Sequence, residues 1–137
     1  MKAISTKTLA ALALEPVETE GLSLVPERDA NRLIVRLKGN ADSTANEAFA
    51  IFITKLHGEA QRLSVQEVSV NLTELYFMTS SCIRCFVTWI GFIREAAPIK
   101  RYSLNFVVNP NLRWQKRNLD VLVQLSPELV TFSESTG

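Results

Sequence analysis

Histidine and cysteine are scarce in this 137-residue chain, with one of the first and two of the second. That excludes most metal clusters and any disulfide framework. Glycine and proline number only five each, and with 47% hydrophobic and 21% charged residues the composition excludes a collagen-like or disordered chain. An excess of one charge sign is also missing. Fifteen Lys and Arg face 14 Asp and Glu, and a net charge of +1 gives no general electrostatic drive toward nucleic acid. No apolar run approaches the roughly 20 residues that span a bilayer, so membrane insertion is not expected. What remains is a chain of the right length for one domain around a single hydrophobic core.

At the N-terminus, Lys2 followed by the apolar run from Leu9 to Leu14 faintly resembles a secretory signal. Lys7 interrupts the approach, the run is short, and Glu15-Pro16 stands where a cleavage site should be, so the reading is cytoplasmic. Residues 1–18 are taken as a polar, alanine-rich extension suited to a short helix, and 19–137 as the domain. Asn71-Leu72-Thr73 is formally a glycosylation sequon, but it falls in an expected strand of an intracellular chain.

Alternation of Leu22 and Leu24 with Ser23 and Val25, then Leu33 to Leu37 after a polar turn, predicts two adjacent strands. Thr44-Ala45-Asn46-Glu47 reads as a capping box opening a helix striped by Ala45, Phe49, Phe52 and Leu56, with Gly58 where it would fray. Residues 66–72 alternate as a third strand. Thr79-Ser80-Ser81 offers capping oxygens to a long second helix that runs to Ala97 and stops at Pro98. Tyr102 to Val108 is the next strand, Asn109-Pro110 opens a third helix through about Leu119, and Val130 to Phe132 is the last strand. This alternation predicts an α/β fold: a mixed sheet of four to five strands covered by about three helices.

The run from Val68 to Ile83, with Asn71-Leu72 and then Phe77-Met78-Thr79-Ser80-Ser81-Cys82-Ile83, resembles the signature of the STAS family, the anti-sigma-factor antagonist fold. Gly39-Asn40-Ala41-Asp42 is similar to the family's Gly-x-x-Asp, and Asn109-Pro110 to its turn into the third helix. The likeness covers about residues 20–132. Thr79 stands where the family usually has Asp, and Cys82 where it has Gly.

The resemblance implies a non-catalytic bacterial regulator that binds a protein partner: a serine kinase and anti-sigma factor, or a signalling scaffold, with a serine phosphatase reversing the mark. Ser80 matches the phosphorylated serine, and Thr79 and Ser81 are the alternative acceptors. A hydroxyl at a helix N-terminus faces the positive end of the macrodipole, and phosphorylation would add about −1.5 to −2 charges there. The plainer role of these three residues is capping. Asp42 is expected near the phosphorylation site, against a partner or kinase or as a turn residue. Arg84 and Trp89 complete the expected partner surface, and no cofactor or metal is implied.

Between Cys82 and Ile93 the apolar residues leave only a narrow polar stripe of Arg84, Thr88, Gly91 and Glu95. An arc this wide predicts cover beyond the helix's own sheet, from the extension, a second copy in a homodimer, or a partner. It also supplies an alternative function, a scaffold or accessory subunit that is never phosphorylated and docks through this helix. A third comes from Cys82-Ile83-Arg84-Cys85, a C-x-x-C at a helix start, where thiol redox chemistry is weighed against two inert buried cysteines. His57 alone cannot complete a metal site. Arg113, Lys116 and Arg117 beside Trp114 read either as a phosphate or nucleotide contact or as a solvated face.

Overall fold

Two tight turns bend the first strands into an antiparallel meander: Glu20-Gly21, with Gly21 at φ 96°, and Ala30-Asn31, with Ala30 at φ 54°. They join β1 (Val17–Thr19), β2 (Leu22–Asp29) and β3 (Arg32–Ala41). From β3 onward every strand is reached through a helix, so pairing turns parallel: α1 (Asn46–Arg62), β4 (Glu67–Met78), α2 (Ser80–Glu95), β5 (Ser103–Val108), α3 (Arg113–Leu125), β6 (Val130–Glu134). The structure is a computed structural model and describes residues 11–136.

The six strands lie side by side in sequence order. Because successive crossovers all step the same way and share one hand, the three helices collect on one face of the sheet. Burial follows. Leu22, Leu24, Leu33, Val35, Leu37, Val68, Val70, Leu72, Leu104, Phe106, Val108 and Val130 all point into the core, while their alternates on β2, β3 and β6 are mostly polar and open to solvent. Pro26 sits on β2 beyond the last pairing with β1, where the missing N–H breaks no ladder.

Several expectations need correction. The sheet has six strands, one more than the upper expectation, because β1 pairs at Val17–Thr19. Residues 11–16 have no regular secondary structure, though Leu14 is buried in the core, and the rest of the expected N-terminal helix lies outside the described residues. No capping box forms. The Thr44 hydroxyl donates to Asp42 Oδ1 at 2.6 Å, and α1 starts at Asn46 after a single 3-10 turn. A charged carboxylate two residues back outcompetes the hydroxyl as acceptor for the local amide. Nor does α1 fray at Gly58; a solvent-facing glycine costs only about 1 kcal/mol, and Phe52, Ile53, Leu56 and Ala60 hold the helix down on both sides of it. At the other end α2 stops at Glu95. α3 starts later, at Arg113, and runs to Leu125.

The broad apolar arc of α2 is covered from within. Phe86, Trp89, Ile90 and Ile93 are buried; Phe86 meets Phe106 of β5 at 5.0 Å between ring centroids and Phe49 of α1 at 5.4 Å. His57 of α1 lies against Phe92 at 5.5 Å, and Arg94 donates to the Leu125 carbonyl of α3. With α1 and α3 flanking it, α2 contributes none of the exposed large hydrophobic residues. The expected second copy or partner over this helix is therefore not needed.

One buried polar chain ties α1, α2 and β5 together. Trp89 Nε1–H donates to the Tyr102 oxygen at 2.7 Å, and the same hydroxyl shares a hydrogen bond with His57 Nδ1, also at 2.7 Å. Burial lowers the His57 pKa, which favours the neutral ring, and pushes the Tyr102 phenol up. Since the folded pKa is below the unfolded one, the unfolded chain binds more protons between them and stability rises with pH in that window. His57 is the chain's one histidine, and Glu59, lowered by its hydrogen bond from Arg62, acts only further down in the carboxylate range. The urea midpoint is expected to fall as pH drops below about 6.5, and His57→Gln should flatten that slope between pH 7 and 5; equal slopes would contradict the neutral assignment.

Candidate functional site

The parallel pairing of β3 with β4 carries both strands to one end of the sheet, where Ala41 lies opposite Met78. Thr79 N–H donates to the Ala41 carbonyl at 2.9 Å, so the loop after β3 and the start of α2 are stitched edge to edge. Asp42 and Thr79-Ser80-Ser81 are brought together as expected. Gly39 lets β3 lie close against the β1–β2 turn: at φ 107° it is in a region that disfavours side chains, and a Cβ there would run into the Gly21 carbonyl. That accounts physically for the glycine of Gly-x-x-Asp.

Each oxygen at this end has a distinct task. Thr79 is the N-cap of α2, its hydroxyl accepting from Cys82 N–H at 3.3 Å. Ser81 Oγ accepts from Arg84 Nη2 at 3.2 Å. Ser80 is exposed, and no hydrogen bond holds its hydroxyl among the described residues. Asp42 accepts from both Thr44 N–H and its hydroxyl, and that hydroxyl bond chiefly holds its carboxyl below the usual range.

Trp89 does not belong here. At 0% exposure it serves the core through Tyr102, so the expected partner contact at Trp89 is replaced by a structural one. Sequence reasoning missed its substitute. β4 runs six residues past its expected end, to Met78, and Tyr76 is an extra residue in it: Gly39 faces Leu75, yet Asn40 faces Phe77. The bulge turns two consecutive aromatic rings outward, Tyr76 at 55% and Phe77 at 49% exposure, just ahead of Ser80. Two large rings after the inward Leu75 break strict alternation, and that break was the available signal.

A buried amide holds the far stretch of β4. Its pairing with β5 ends at Asn71↔Val107, leaving later backbone groups without a strand partner. Gln115 of α3, at 0% exposure, donates to the Leu72 and Leu75 carbonyls at 2.6 and 2.8 Å and accepts from Asn109 N–H at 2.8 Å. Asn109 Nδ2 donates to the Thr73 carbonyl, and Asn71 Oδ1 accepts from Thr73 N–H and its hydroxyl. Asn71 is thus spent inside the fold.

Neither cysteine is primed for redox work. Burial pushes both thiols up, with the Asp42 charge adding to the rise at Cys82, whereas a reactive cysteine needs a lowered value. Cys82 Sγ fills the gap between α2 and the β3–α1 loop, 3.6 Å from Asn46 Oδ1. No group of three or more His, Cys, Asp or Glu among the described residues can hold a metal. On α3, Arg113 and Lys116 border a cleft of about 190 Å³, and Lys116 approaches Glu134 at 3.9 Å. Trp114 is half-buried against the core, with its Nε1 unpartnered.

The fold, though not any site residue, can be matched to solved structures. An anti-sigma factor antagonist from Mycobacterium paratuberculosis matches 83% of this chain and 88% of its own, with a TM-score of 0.61 at 12% identity. The chain has the STAS fold. An antisigma-factor antagonist STAS domain from Rhodobacter sphaeroides covers 65% of this chain and 88% of its own at 12% identity, with a TM-score of 0.48. No family model and no curated protein matches the sequence. No helix among the described residues is long and apolar enough to cross a membrane.

Two outcomes follow for this fold. Gln115→Leu strands two buried carbonyls and an amide, at about 1–3 kcal/mol for each group left dry; a urea midpoint within error of wild type would refute the clamp. Alkylation of Cys82 and Cys85 at neutral pH should be much slower in the folded chain than in urea, and equal rates would reopen the redox reading.

Proposed function

We propose that the chain is a non-catalytic bacterial regulator that binds a protein partner through the end of the sheet carrying Tyr76, Phe77, Asp42 and Ser80, and that phosphorylation of Ser80 weakens that binding. The observation that carries the reading is the uncommitted Ser80 hydroxyl at the start of α2, three residues after the second of two exposed aromatic residues, Tyr76 and Phe77. The rings offer apolar area for a partner to cover, and aromatic residues dominate such contacts. The partner class is an anti-sigma factor with serine kinase activity, as the matched structures are named antagonists of anti-sigma factors. The γ-phosphoryl of ATP would pass to Ser80 Oγ, with the hydroxyl proton leaving to the kinase's base and ADP departing. A serine phosphatase would restore the hydroxyl.

Thr79 and Ser81 are weaker acceptors, because each oxygen is already used within α2. Arg84 belongs to the same surface as a cation near the switch. The cytoplasm, where such a kinase and its ATP are found, is the expected compartment.

Thr79 in place of the family's Asp supports a second reading, a scaffold subunit never phosphorylated, docking through Tyr76 and Phe77 rather than α2. Intact mass of the chain from its native cell separates the two, since one added phosphate absent from Ser80→Ala supports the first. With a purified anti-sigma partner, Ser80→Asp should weaken binding at least about tenfold and Ser80→Ala should leave it nearly unchanged. If both variants bind like wild type, Ser80 has no switching role.

A further inference from the structure

We propose that Arg84 is the counter-ion for a phosphate on Ser80: modification would draw its guanidinium from the Ser81 hydroxyl onto the phosphate and clamp that phosphate against α2. This rests on the reading of Ser80 as a phosphorylation site and names how this chain would hold the mark.

Residues four apart on a helix are surface neighbours, and helical side chains lean toward the N-terminus, so an arginine at 84 reaches back to the turn that holds Ser80. It already does so. Arg84 Nη2 lies 3.2 Å from Ser81 Oγ, in the first turn of α2. Its guanidinium is exposed and has no carboxylate partner among the described residues. A neutral hydroxyl is a weak holder for a full positive charge, whereas a phosphate offers about −1.5 to −2 charges and three strong acceptor oxygens to the same planar fork.

The surroundings favour the transfer. Position 79 carries a threonine, so no carboxylate adjoins Ser80 in the chain. The nearby acid is Asp42, across the Ala41–Thr79 hydrogen bond, and its oxygen is engaged by Thr44. Cys82 and Cys85 are kept as neutral thiols by burial. An incoming phosphate therefore finds the Arg84 guanidinium within reach, in addition to the amides at the helix start.

The test installs phosphoserine at position 80 of the full chain during translation, through an expanded genetic code, so no kinase is required. Phosphorus NMR then follows the second ionisation of the phosphate against pH in wild type, Arg84→Gln and Arg84→Lys. An adjacent cation favours the dianion, so wild type is expected about half a pH unit or more below Arg84→Gln, with Arg84→Lys between them. The gap should shrink in about 1 M salt. Helix amides act equally in all three proteins, so the difference reads Arg84 alone. Identical titrations in wild type and Arg84→Gln would overturn the proposal. A finding that Ser80 is never phosphorylated in the native cell would instead defeat the functional reading, leaving this result interpretable.

Discussion

The site depends on the parallel ladder between β3 and β4, because one strand delivers Asp42 and the other delivers Thr79 and Ser80. The ladder is not uniform. β4 takes one extra residue between Asn71 and Glu74 and another at Tyr76, each shifting the register with β3. Each insertion leaves backbone groups that β3 cannot serve and re-aims side chains by half a strand period. The first is paired off by Asn71, Asn109 and Gln115, which close the gap past the end of β5. The second is left open and puts two aromatic rings in solvent. The bonded stretch beneath holds this exposed apolar edge in place without burying it.

At the helix that follows, neighbouring hydroxyls are divided between structure and reactivity. Thr79 ends the strand, caps α2 and bonds back toward β3, so its position is fixed from both sides. Ser80, one residue on, inherits that fixed position without sharing the duty. Were Ser80 the cap, adding a phosphate would force the first amides of α2 to exchange their hydroxyl acceptor for phosphate oxygens, coupling the mark to the helix start. With Thr79 capping, charge can be added at residue 80 while the fold stays the same.

Much of the fold was legible because alternation and helical stripes record burial directly: Leu33 to Leu37, Val68 to Leu72 and Leu104 to Val108 all occupy the expected face. The Gly-x-x-Asp and Ser-Ser segments were legible as a family pattern, and the fold they implied is present. Element ends were harder to read. Gly58 looked like a stop because propensity is local, whereas Phe52, Leu56 and Ala60 anchor α1 through tertiary contacts. α2 reads as too apolar for one sheet because a sequence does not show two flanking helices, and the same unseen cover conceals the burial of Trp89. Gln115 carries no local signal of its role, since nothing around it in the sequence reveals that two carbonyls of β4 await it. The outward turn of Tyr76 and Phe77 required a bulge, which periodicity registers only as an irregularity.

The one-sided sheet narrows where a partner can recognise this molecule. Helices occupy one face, and on the opposite face β4 to β6 present short polar residues such as Ser69, Asn71, Asn105 and Thr131, several already bonded to one another, beside the charged Glu27, Arg36 and Lys38 of β2 and β3. Such residues give a partner little apolar area, and their hydrogen bonds would have to be broken to make new ones. The end of the sheet at Tyr76 and Phe77 differs on both counts. Rings standing clear of the surface can be covered without dismantling any bond within the fold, and Ser80 lies at their margin. A neutral hydroxyl at the rim of such a contact can be desolvated cheaply, but a phosphate there resists loss of water and would set its charge against a surface shaped for the neutral form. In the proposed role, the rings would be the anchor and Ser80 the point from which a phosphate would release it.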